Sequence, residues 1–178
     1  MAVRRKHIRS LVDQLLQTHN VTAPPVPVEK IVEALGLEVR RAPAEDDLSG
    51  FLYRDRQKKT ATIGVNSTHH TNRQRFTLGH ELGHYLLHDY DGIHVDRRFQ
   101  IKLRNAKSSE GTDDEEKEAN LFAAELLMPK QMVEAAINSV EGLDLEDQQD
   151  LNDLATQFNV SVQAIAFRLA YLGHLELG

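Results

Sequence analysis

The residues best suited to chemistry in this chain are His80-Glu81-Leu82-Gly83-His84. On an α-helix, side chains four apart stand one above the other on the same face. Two imidazoles so placed can share one metal ion. The chain has no cysteine, so any metal must be held by His, Asp or Glu. Glu81 follows the first histidine and would lie beside the open coordination position. A carboxylate there can take a proton from water and pass it to the leaving amine of a peptide. The pattern points to a metal-dependent hydrolase with His80 and His84 as ligands and Glu81 as general base. Zinc suits such donors best, and manganese or iron would also fit.

A catalytic zinc site takes a third protein ligand. His88 lies six residues beyond the midpoint of His80 and His84, about 9 Å along a helix axis. A straight helix cannot bring it to a shared ion. A longer histidine motif used by another protease class fails too, because Leu87 and Tyr90 occupy the places of its Gly and third His. The acidic segment 113–120 is the better source, and Glu116 the preferred residue. On a helix Glu116, Asn120, Ala123 and Ala124 fall near one face, and the two alanines would let that helix sit close. Asn120 could then accept a hydrogen bond from a ligand imidazole and fix its tautomer. Glu118, about 200° round the helix from Glu116, is expected in solvent, and Glu115 and Glu118 suit an acidic helix start. Gly79 and Gly83 each cost a helix about 1 kcal/mol, so something is expected to approach the backbone there.

Periodicity supplies the elements that must hold these groups. Residues 3–18 read as an amphipathic helix with Ile8, Leu11, Val12, Leu15 and Leu16 on one stripe. Pro24, Pro25 and Pro27 make a stiff connector, and 28–35 a second helix closed by Gly36. Residues 37–39 suggest a short strand, and 48–53 and 60–65 a hairpin with a polar loop. Asn66-Ser67-Thr68 offers cap chemistry for a helix over about 71–88. Residues 89–114 are the least regular, with room for a strand over 93–103. Helices are expected from about 113 to Met128, from Pro129 to about 138, and over 147–158 and 161–173. This order is α+β. The expected division is a core over 1–140 and a C-terminal helical extension over 141–178.

Composition narrows the class. Hydrophobic residues make up 40% and charged residues 27%, ordinary for a globular protein. The basic start Arg4-Arg5-Lys6 is not followed by the apolar run of a signal peptide, and no stretch approaches a membrane span. A cytoplasmic location is therefore expected. The net charge of −6 hides an asymmetry, with the basic residues concentrated before residue 110 and the acidic ones after it.

The two motifs together carry a resemblance. Arg75 to His88, with Glu116 to Pro129, resembles the ImmA/IrrE family of metallopeptidases, and Gly50-Phe51-Leu52 and Ile63 to Asn66 resemble its hairpin. The resemblance implies a zincin-like core: a small antiparallel or mixed sheet packed on the active-site helix. It implies metal on His80, His84 and Glu116, with Glu81 as base. It also implies a regulatory endopeptidase that cuts a helix-turn-helix repressor to release a mobile element or stress response.

A peptide substrate is expected as an added strand against the 48–65 hairpin. Tyr53 and Asn66 are candidate contacts, each more simply explained as a strand-end and a turn residue. Arg73 and Arg75 could pair with carboxylates, and Tyr85 and His88 are candidate oxyanion stabilisers. Residues 151–169 have the apolar pattern of a helix-turn-helix, which raises a rival class: a DNA-associated or non-catalytic regulator. Charge argues against direct DNA binding, since residues 144–178 hold one basic residue, Arg168, among six acidic ones.

Overall fold

The computed structural model describes residues 2–89, 91–97, 110–140, 143–145 and 147–176. The chain opens with α1 (Arg5–Thr18), whose Ile8, Val12, Leu15 and Leu16 are buried. That is the 3.6-residue stripe of an amphipathic helix turned to a core. Helix α2 (Val28–Ala34) follows the proline connector and ends at Gly36, whose φ of 80° suits a residue without a Cβ.

Four strands form one mixed sheet among the described residues: β1 (Glu38–Ala42), β2 (Leu48–Asp55), β3 (Thr60–Asn66) and β4 (Gly92–Arg97), in the order β1-β3-β2-β4. β1 runs parallel to β3, and β2 pairs antiparallel with both β3 and β4. The expected hairpin is therefore β2–β3, but both its strands are interior. The sheet's edges are β1 and β4. The edge nearest the site is β4, whose sequence signal was weak because it is short and its alternation brief. The rest of the predicted 93–103 strand lies outside the described residues.

Helix α3 (Thr71–Leu87) lies against β2 and β3. Its cap is His70, whose side chain accepts from the Asn72 amide, and not the earlier Asn66-Ser67-Thr68. Asn66 is buried instead as the staple of the preceding turn. Its Nδ2 donates to the carbonyls of Glu45 and Leu48, and its Oδ1 accepts from the amides of Ala44 and Thr68. Gly50 lets α3 approach the sheet: a Cβ there would lie 2.5 Å from Thr77 Cγ2.

Helix α4 (Glu110–Leu127) packs along α3, and the glycines of α3 mark the contact. A Cβ at Gly83 would meet Ala119 Cα at 3.1 Å, and one at Gly79 would meet Ala123 Cβ at 3.4 Å. Pro129 separates α4 from α5 (Lys130–Ser139), since it has no amide proton to continue a helix. Helices α6 (Gln148–Phe158) and α7 (Val162–Leu172) meet at Asn159, which is left-handed, and Ser161 caps α7 by accepting from the Ala164 amide. Leu154, Phe158, Ile165 and Leu169 join the same core as Leu78, Leu82 and Phe122. The turn between α6 and α7 is tied to the start of α3: Asn72 Nδ2 donates to the Val160 carbonyl at 2.8 Å. The architecture is α+β, with the small sheet on one side of α3 and α4 on another.

Candidate metal centre

Helix α3 presents His80 and His84 one turn apart, 3% and 0% exposed. Their Nε2 atoms face each other at 3.0 Å. Glu116, on the neighbouring α4, points its carboxylate at both: Oε2 lies 3.3 Å from His80 Nε2 and Oε1 lies 3.3 Å from His84 Nε2. These three side chains form a group able to hold a metal ion. Donors about 2.0–2.1 Å from a tetrahedral zinc are about 3.3–3.4 Å apart. The observed edges are close to that, so the residues fit such an ion.

Proton placement supports the same fit. His80 Nδ1 lies 3.1 Å from Asn120 Oδ1, which can only accept, so Nδ1 carries a proton and Nε2 is the nitrogen left to face an ion. Asn120 thus stands where helix periodicity puts it, one turn beyond Glu116. Burial pushes the His84 pKa down from 6.5 to about 4, against the pull of Glu116, so its imidazole is neutral. Burial would raise the Glu116 pKa, but hydrogen bonds with His80, His84 and His94 outweigh it and hold the group below the usual carboxylate range. Two imidazoles and a carboxylate therefore converge, a donor set that a shared cation stabilises.

Glu81 is fully buried on the sheet side of α3, its Oε1 3.5 Å from where a Cβ on Gly50 would stand. The general-base candidate thus sits between its helix and β2.

His94 is the residue that sequence reasoning missed. It lies on β4, with Nε2 3.4 Å from Glu116 Oε1 and its ring centroid 4.1 Å from that of His84. The signal was the alternation Ile93-His94-Val95: Ile93 and Val95 are exposed, and His94 turns to the opposite face.

Glu118 corrects the expectation of a solvated side chain. It is 5% exposed, and its carboxylate accepts from both Arg4 and His88. Its direction away from the metal face was right, but the start of α1 covers that side of α4. Hydrogen bonds from the Arg4 guanidinium hold its pKa down to about 2, against burial. His88 is not among the metal group. It lies behind His84, with the two Nδ1 atoms 3.1 Å apart, a place that does not suit an oxyanion stabiliser.

The remaining candidates have structural partners. Arg73 donates to Ser49 Oγ at 2.9 Å, and Arg75 pairs with Glu29 and donates to the Val26 carbonyl. The Tyr85 ring lies under the Arg54 guanidinium, 4.2 Å from centroid to Cζ. Tyr53 is partly exposed opposite Ile93 of β4.

Residues 32–170 match the sequence profile of the IrrE N-terminal-like domain, a peptidase family, and the chain belongs to that family. It is 30% identical over 125 residues to Metallopeptidase ImmA of Bacillus subtilis (strain 168), across 70% of this chain and 64% of that protein. The chain thus spans just under two thirds of that relative's length. A Mycobacterium tuberculosis transcriptional regulator shares the fold with a TM-score of 0.62, over 93% of this chain and 46% of that one, at 13% identity. At that identity the likeness concerns the fold alone. No described helix is long and apolar enough to cross a membrane.

Proposed function

We propose that the chain is a metal-dependent endopeptidase, with His80, His84 and Glu116 holding the ion and Glu81 as general base. The observation that carries this is the convergence of two imidazole nitrogens and one carboxylate within 4.8 Å of one another. A divalent ion held there, zinc on the donor chemistry, would polarise the scissile carbonyl and acidify the attacking water. Glu81 takes the proton from that water and delivers it to the leaving nitrogen. Its burial keeps bulk water from competing. Asn120 fixes the His80 ring. The peptide runs along β4, which has a sheet partner on one side only among the described residues, and its main chain completes the ladder.

The substrate proposed is a helix-turn-helix repressor, and the place of action the cytoplasm. Family membership supports this choice, because cleavage of such a repressor to release a mobile element or stress response is what the family resemblance implies. A regulator that binds DNA through α6 and α7 is the weaker reading. Arg168, the lone basic residue of those helices, is buried, donating to the Met128 carbonyl at 2.9 Å and pairing with Glu125. It is not available to phosphates.

Elemental analysis should find about one transition metal per chain, lost in His80→Ala and in His84→Ala. Glu81→Gln should keep the metal and abolish cleavage of the repressor. Cleavage by Glu81→Gln at the wild-type rate would overturn the assignment of the base. Tight, specific duplex binding at moderate salt would restore the regulator reading.

A further inference from the structure

Behind the candidate metal ligands runs a second chain of hydrogen bonds that ends at the start of α1. His84 Nδ1 lies 3.1 Å from His88 Nδ1, and His88 Nε2 lies 3.1 Å from Glu118 Oε2. Glu118 in turn is gripped by Arg4. Arg4 Nε donates to both carboxylate oxygens at 3.0 and 3.1 Å, Nη2 donates to Oε2 at 2.5 Å, and the Arg4 main-chain N–H donates to Oε1 at 2.7 Å. A further bond from Arg4 Nη2 reaches the Leu87 carbonyl, at the end of α3 and next to His88. His84, His88 and Glu118 are all buried.

With both rings neutral, these contacts admit one arrangement of protons. The Glu118 carboxylate only accepts, so His88 donates from Nε2 and holds a lone pair on Nδ1. That lone pair requires the donor to be His84 Nδ1–H. His84 is then left with its Nε2 lone pair facing His80 and Glu116, the form a metal ligand needs. The two ligand histidines are thus held by different devices: His80 by one amide, His84 by an imidazole, a carboxylate and a guanidinium in series. The second device is anchored on a different part of the chain, 114 residues away from Glu118.

We propose that His88, Glu118 and Arg4 are positioning residues that fix the tautomer and orientation of His84, so that docking of the start of α1 tunes the affinity of the metal centre. The proposal rests on the metal reading of His80, His84 and Glu116. It adds that metal affinity depends on Arg4, the residue just before α1, which is not itself a metal ligand. Partners of this kind typically contribute 10–100-fold to metal affinity. The full effect is expected at His88 and Glu118, and a smaller one, roughly tenfold, at Arg4.

The test measures Zn2+ affinity of the full chain by competition with a chromophoric chelator. The wild type is compared with His88→Leu, His88→Gln, Glu118→Leu and Arg4→Ala, each checked for folding by circular dichroism in chelator. His88→Leu and Glu118→Leu should weaken binding by roughly 10–100-fold, and Arg4→Ala by roughly tenfold. His88→Gln should recover part of the loss, because its amide offers an acceptor and a donor. A purely structural role would not move the second readout, long-range 1H–15N NMR of the metal-free protein. It should show His84 protonated at Nδ1 in the wild type and a mixture of tautomers in Glu118→Leu. Should His88→Leu not fold, Arg4→Ala decides, since that side chain is partly exposed. Affinities within twofold of wild type in folded Arg4→Ala and Glu118→Leu, with His84 still protonated at Nδ1, would overturn the relay and leave the metal reading intact. Failure of the wild type to bind Zn2+ more tightly than His84→Ala would overturn the metal reading itself.

Discussion

Alanine at Gly83 and alanine at Gly79 should have opposite effects, although both glycines lie on α3 against α4. In a helix interior each substitution gains about 1 kcal/mol from backbone entropy. At Gly79 the new methyl would lie 3.4 Å from Ala123 Cβ, 3.5 Å from Ala123 Cα and 4.0 Å from Leu127 Cγ, close to ordinary contact. At Gly83 it would meet Ala119 Cα at 3.1 Å, Phe122 Cδ1 at 3.1 Å and Phe122 Cβ at 3.2 Å. One of these is main chain, and Phe122 is fully buried, so relief requires α4 to move by a few tenths of an ångström. Such overpacking costs about 1–3 kcal/mol. Gly79→Ala should therefore be neutral or up to about 1 kcal/mol more stable. Gly83→Ala should lose up to about 2 kcal/mol. Urea unfolding in chelator reads this as a lower midpoint, since m is about 1–3 kcal/mol per molar. Glu116 lies on the displaced α4, so Gly83→Ala should also weaken Zn2+ binding while Gly79→Ala does not. If Gly83→Ala matched Gly79→Ala in both stability and affinity, the tight α3–α4 contact would not be what sets the ligand geometry.

Two further outcomes follow from buried charges. Because burial depresses the His84 pKa from 6.5 to about 4, the unfolded chain binds a proton that the metal-free folded chain does not between those values. Stability from this source is complete above pH 6.5 and is lost as pH falls towards 4. At about 1.4 kcal/mol per unit it amounts to no more than about 3.5 kcal/mol. Urea midpoints between pH 7.5 and 4.5 should fall more steeply for wild type than for His84→Gln, and parallel slopes would contradict the assignment. Glu125→Ala should cost about 3–5 kcal/mol by stranding buried Arg168. Arg9→Ala, which removes the half-exposed partner of the same carboxylate, should cost under about 1 kcal/mol. Thermal or urea unfolding separates the two.

The sequence by itself determined what depends on local spacing. Period 3.6 placed His80 and His84 on one face of α3 and set Glu116 and Asn120 one turn apart on α4. The two glycines announced a close helix neighbour, and the paired motifs announced the family. Solvation could not be read this way, because it depends on what covers a helix from outside. Glu118 and Arg168 look like surface charges on their own helices. Each is buried because another element lies over it, the start of α1 for Glu118 and the end of α4 for Arg168. Strand order was equally hidden: local alternation marks a strand but not its neighbour, so β2 looked like an edge until β4 paired with it. His94 reaches Glu116 only through that pairing. The His80-Glu81-His84 motif was legible from the sequence, while tertiary packing decided which residues surround it and hold its protons.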